Sequence, residues 1–216
     1  MTERPILFSA PMVRAILDGR KTQTRRPINH LLGHGRITDF GPALHLNATE
    51  ISWTFIDGRH PRQELPLAGV FRRCPYGCMA GDRLWVRETF GWGKLIGEKQ
   101  FIFYKATNDT DDDRDDDAMD EGAPWKPSIH MPRCASRITL EITGVRIQPL
   151  NEISRDDAMA EGIQPGYDGF HTEEGRHFHA ADPRKSFAML WEQIHGNDAW
   201  DANPWVWAID FKRVQP

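Results

Sequence analysis

The chain has 216 residues, with 27 Lys and Arg against 31 Asp and Glu and a formal net charge of −4. That length suits one domain with a sizeable core, and the acidic balance excludes a generally basic nucleic-acid coat. No apolar run approaches the roughly eighteen residues of a membrane span, and the N-terminus lacks the apolar region of a signal peptide.

Three cysteines, an odd number, argue against a disulfide scaffold and for a reducing cytoplasm. The charge is uneven: residues 1–37 carry seven Lys and Arg against two acids, whereas 109–121 carry nine acids against one Arg. A basic site with a distant acidic run is compatible with a polyanionic ligand.

In chain order, Ile6–Ser9 reads as a short strand leading into a helix. Ser9 suits the N-cap, Pro11 the first turn and Gly19 the C-terminal stop. Val13, Ile16 and Leu17 give that helix one apolar stripe. Beyond it Arg20, Lys21, Thr24, Arg25 and Arg26 fall within seven residues. Such a cluster suits an anionic ligand, and cationic neighbours favour a neutral Lys21 able to act as a base. The plainer alternative is a solvated basic hairpin.

Residues 29–70 have weak periodicity and read as an insertion, with Ile51–Ile56 the one convincing strand, paired near His45 and Leu46. Gly81-Asp82 makes a turn into Arg83–Glu88, where Leu84 and Val86 face one way and Trp85 and Arg87 the other. Phe101–Tyr104 is a strand, and 91–124 is a second insertion whose Asp-rich run reads as a mobile loop. A calcium loop is the alternative there, without the glycine and spaced glutamate of an EF-hand.

Arg137–Gln148 carries the longest strand signal, and Ser154 with Asp157 opens a short helix that stops at Gly162. After a third insertion at 164–183, Arg184–His195 presents Phe187, Leu190, Trp191 and Ile194 to a core. Trp205–Val214 closes the chain as a strand. Several strands with a few helices predict an α+β fold, a small β-barrel with helices at its ends.

Other chemistry is weaker. Cys74, Cys78 and Cys134 offer a zinc site with poor spacing, and no metal or other cofactor is expected. Trp85, Trp92 and Trp125 offer stacking faces for a base. Arg83, Arg87 and Arg137 either extend an anion surface or form structural ion pairs. His177 and His179, flanking Phe178, read as solvent-facing, and Ser128 and His130 form no nucleophile elbow.

The run Ala15-Ile16-Leu17-Asp18-Gly19-Arg20-Lys21-Thr22-Gln23-Thr24-Arg25 resembles the signature of the ASCH domains, a branch of the PUA-like β-barrels. Gly81-Asp82-Arg83-Leu84, Leu150–Glu161 and Ile209-Asp210-Phe211 resemble further family elements in the expected order. Together with Trp85-Val86-Arg87-Glu88 and Trp125-Lys126-Pro127-Ser128, the pattern is similar to larger ASCH-like proteins common in phages and prophages. It covers about half of this chain, which would form a single ASCH domain with three insertions.

The resemblance implies a role toward RNA or a modified nucleoside. The small bacterial members that resemble this chain are N4-acetylcytidine amidohydrolases with a Lys–Thr–Glu set, which falls here on Lys21, Thr24 and Glu161. Arg20, Arg25, Arg26, Trp85 and Arg87 are then the candidate substrate-binding residues. Thr24 would attack the acyl carbon after Lys21 removes its proton, and Glu161 would protonate the departing nitrogen. The expected partner is a modified nucleoside or RNA, with no membrane. A non-catalytic reader of RNA or a modified base and a ribonuclease are the alternatives.

One geometric condition follows. Residues 21 and 24 of a regular strand face opposite sides, so the set requires Lys21 to lie outside strand pairing.

Overall fold

A computed structural model describes residues 2–43, 51–77, 79–94, 100–108, 125–172 and 177–214. In chain order the elements are β1 (Glu3–Leu7), α1 (Ala10–Leu17), β2 (Gln23–Pro27), β3 (Ile37–Pro42), β4 (Ser52–Asp57), β5 (His60–Pro66), α2 (Leu67–Phe71) and β6 (Arg83–Arg87). There follow β7 (Phe90–Lys94), β8 (Gln100–Tyr104), α3 (Lys105–Asn108), β9 (Thr139–Pro149) and α4 (Arg155–Ala160). The chain ends with β10 (Gln164–Gly166), β11 (Gly169–His171), β12 (His177–Ala180), α5 (Pro183–His195) and β13 (Trp205–Val214).

Mixed helices and strands make the fold α+β. Its main sheet has the order β1-β6-β9-β13-β2, parallel between β1 and β6 and antiparallel elsewhere. β1 and β2 therefore stand at its two edges, although α1 joins them directly. A side chain spans that gap: Arg26 donates to the Leu7 carbonyl at 2.6 Å.

β13 explains the long apolar run near the C-terminus. Trp207, Ile209 and Phe211 point into the main core with Leu84, Leu140 and Ile142. Val206 points the other way, into a second core with Leu150, Ile163, Phe187 and Trp191. A central strand covered on both faces reads as continuous apolar sequence. Its register shifts after Asp210, which pairs with Gly144. A Cβ on Gly144 would meet the Asp210 carboxylate at 3.2 Å, so glycine leaves that carboxylate its position.

Several expectations are corrected. The first strand runs Glu3–Leu7, earlier than Ile6–Ser9, because Ser9 already stands at the N-cap position of α1. Among the described residues, 29–70 hold three strands rather than one, ordered β3-β4-β5. β5 carries an almost wholly polar, exposed sequence, so no apolar alternation announces it. Ile37, Phe40, Trp53 and Phe55 of this meander belong to the main core, and Trp53 packs edge-on against Trp205 at 4.9 Å between centroids. His45 and Leu46 lie outside the described residues. At the meander's turn the buried Asp57 carboxylate accepts from the Arg59 and His60 amides and meets His34 Nδ1 at 2.9 Å.

The 164–183 segment contributes three short strands, β10-β11-β12. On α5, Phe187 and Trp191 are buried, but Ile194 is 50% exposed and does not pack on the core. The Asp-rich run and its calcium alternative fall outside the described residues, as does Cys78. Among the described residues, no helix is long and apolar enough to cross a membrane.

Candidate active site

Two helix ends bring Lys21 and Glu161 together. α1 terminates at Gly19, whose φ of +75° only glycine adopts without strain. The amides of Arg20 and Lys21 both bond to the Ala15 carbonyl at 2.9 Å, folding the chain back over the last helical turn. β2 starts only at Gln23, so Lys21 precedes the ladder and meets the geometric condition.

α4 is capped by Ser154, whose hydroxyl accepts from the Asp157 amide at 3.0 Å, and Glu161 occupies its C-cap. The Thr22 amide bonds to the Ala160 carbonyl at 2.8 Å, tying the two helix ends to each other. Ser154→Ala should lower stability by about 1 kcal/mol in urea melts, the usual cost of a lost cap.

The Lys21 ammonium donates to Glu161 Oε2 at 2.7 Å and to the Glu161 carbonyl at 2.8 Å. Arg25 Nη1 holds the other carboxylate oxygen, Oε1, at 3.2 Å. Lys21, Thr24, Arg25 and Glu161 are all at least nine-tenths buried, rare for charged groups unless paired. Burial pushes the Lys21 ammonium below the usual lysine range. The Glu161 carboxylate opposes this shift, and the charges of Arg26 and Arg25 add to it.

Strand alternation sorts the neighbours. Gln23 and Arg25 share one face of β2, where Gln23 Oε1 accepts from Arg25 Nη1. Gln23 Nε2 donates to Asp157 Oδ1 at 2.8 Å and to Asp210 Oδ1 at 2.6 Å. Arg25 Nη2 pairs with Asp157 Oδ2 at 3.0 Å, and Arg146 joins Asp157 and Asp210 at 3.1 and 3.2 Å. Arg26 lies on the opposite face, over the Phe8 ring at 5.3 Å, and Lys21 Nζ stands 5.8 Å from the same ring. The turn at Gly19 therefore swings Lys21 toward the side that Thr24 and Arg26 present.

Burial alone would raise the Asp157 carboxyl, but the Gln23 amide and the Arg25 and Arg146 charges hold it below its ordinary value. A carboxylate so depressed stabilises the fold fully above its unfolded pKa, about 4, and loses that contribution as pH falls through the lower folded value. Urea melts of Asp157→Asn should show a deficit near neutrality that shrinks below about pH 4.

A cavity of about 400 Å³ opens on this group, with Thr24, Arg25, Arg26 and Glu161 in its lining. α5 lines it through Phe187, Leu190, Trp191 and His195, and Thr89 and Ser128 add hydroxyls. The Trp191 and His195 rings lie 4.1 Å apart between centroids. Burial and the Arg26 charge push the His195 imidazole below its usual value.

Of the residues singled out from sequence, Thr24, Arg25, Arg26 and Glu161 line this cavity, and Lys21 stands outside the lining, bonded to Glu161 at 2.7 Å. Arg20 does not line the cavity and pairs with Asp18 at 2.8 Å on the surface. Trp85 and Arg87 are also outside the lining: Arg87 donates to the Met131 and Ile129 carbonyls at 3.0 and 2.6 Å and covers the Trp85 ring. Trp92 packs against Phe90, Trp125 against Phe103, and Arg137 clamps Glu88 through two 2.9 Å bonds. Sequence reading missed the α5 lining, whose period marks only a buried stripe. It also left Ser128 out of the site, although the Trp125–Ser128 run carries part of the family resemblance. Cys74 is buried and Cys134 exposed, and no cluster of three metal-ligating side chains occurs among the described residues.

Comparison with known proteins adds no relative: no protein-family model matches the chain, and no match is found among curated proteins or solved structures.

Proposed function

We propose that the chain is an ASCH-type hydrolase that removes the acyl group from an N4-acylated cytidine or a similar modified nucleoside. The observation that carries this reading is the buried Lys21–Glu161 contact of 2.7 Å, beside a cavity that Thr24 also lines. A charged pair withdrawn from water is costly to maintain, and at the edge of a cavity it favours proton transfer over fold stability.

Lys21, once in its amine form, takes the proton of the Thr24 hydroxyl as that oxygen attacks the acyl carbon. The proton passes along the 2.7 Å contact to Glu161. Glu161 delivers it to the exocyclic nitrogen as the carbon–nitrogen bond breaks and cytidine leaves. Water then releases the acyl group from Thr24 as a carboxylic acid. Arg26, in the lining of the same cavity, faces the charge that develops on the acyl oxygen. On the same reading the main sheet is a PUA-like barrel whose seam lies between β1 and β2, spanned by Arg26.

Incubating purified protein with N4-acetylcytidine and following cytidine by chromatography tests the proposal. Cytidine and acetate in equal amounts are expected. Tight binding of intact N4-acetylcytidine without turnover would instead make the cavity a reader of modified bases.

A further inference from the structure

We infer that the acyl chain of the substrate occupies a second, largely apolar lobe of this site and that the protein prefers acyl groups larger than acetyl; the inference rests on the hydrolase reading above. A smaller cavity of about 160 Å³ lies against the first. The two share Ser9, Met12, Glu161, Leu190 and Ile194 in their linings, so they adjoin as two lobes along a border that includes Glu161.

The bond must break beside that border, because Glu161 delivers its proton to the departing nitrogen. Thr24 and Arg26, which act on the acyl carbonyl, line only the larger lobe, so the carbonyl sits at that lobe's Glu161 edge, with base and ribose beyond it toward Trp191 and His195 and only the acyl chain entering the smaller lobe. The smaller lobe presents carbon from Pro11, Met12, Ala15, Leu190 and Ile194, with Thr172 and Gln193 its polar edge. A methyl group is about the size of a water, which needs only roughly 10–15 Å³ of such space. An acetyl group would leave most of the lobe unfilled, whereas a longer chain buries its carbon there.

Ala15 lines the smaller lobe and not the larger one. It lies on α1, is 4% exposed, and its carbonyl holds the Arg20 and Lys21 amides. Changing its side chain therefore alters the lobe while leaving those backbone bonds in place.

The test compares kcat/KM for N4-hexanoylcytidine and N4-acetylcytidine in the native protein, Ala15→Val and Ala15→Gly. The ratio within each protein cancels any loss of folded enzyme. The native ratio should favour hexanoyl about tenfold or more, and Ala15→Val should lower it by about tenfold. Ala15→Gly should leave it at least as high. A native preference for acetyl, or a ratio that Ala15→Val does not move, overturns the lobe assignment while the hydrolase reading stands. Turnover of neither substrate overturns both.

Discussion

Lys21→Ala should lower kcat on an N4-acylated cytidine by about 10²–10⁴-fold, the usual contribution of a positioned proton-transfer group. The same truncation also strips Glu161 of its closest charged partner, leaving the 3.2 Å contact with Arg25. Loss of activity in that variant therefore mixes chemistry with weakened structure. Lys21→Arg separates the two. A guanidinium preserves the charge beside Glu161 but does not give up its proton in the working pH range. The expected result is a folded protein whose turnover falls as far as that of Lys21→Ala. Activity within about tenfold of native in Lys21→Arg, measured beside its melting curve, would remove Lys21 from the role of base.

Arg25→Ala should be the most destabilising single change at the site. The Arg25 side chain has 0% exposure and pairs with both Glu161 and Asp157. Removing it leaves a buried carboxylate short of a partner, which costs about 3–5 kcal/mol. For a domain of this size that lowers Tm by roughly 10 °C. Arg25→Lys should recover little, because one ammonium cannot reproduce the fork that meets Gln23, Asp157 and Glu161. Arg146→Ala, by contrast, removes pairs from a side chain 46% exposed and should change stability by less than about 1 kcal/mol. Calorimetry on the three variants checks the ranking. An Arg25→Ala protein that melts with the native one would mean that water replaces the lost pairs.

These outcomes separate what each level of organisation contributes. The halves of the Lys21–Glu161 ion pair were legible as local patterns: a helix stopped by Gly19 before Lys21, and a capped helix ending at Glu161 before Gly162. Caps, positive-φ glycines and apolar periods act over a few residues, so a single chain displays them directly. The requirement that Lys21 precede β2 came from side-chain alternation alone, and the bonds to Ala15 satisfy it. The candidate binders divide: Arg25 and Arg26 line the cavity, whereas Arg20, Trp85 and Arg87 lie outside its lining.

The sequence by itself determined the α+β character, the ends of α1 and α4, and the apolar strands around Leu84, Leu140 and Trp207. Only the tertiary structure decided that Lys21 donates to Glu161 from 140 residues away, and that Gln23 links Asp157 to Asp210. It alone decided that α5 closes the cavity with Trp191 and His195. The polar strand β5 likewise became visible only beside β4. The reason is physical. A strand's partner is chosen by the whole sheet's register and by what covers each face, and neither is written in the few residues that form the strand.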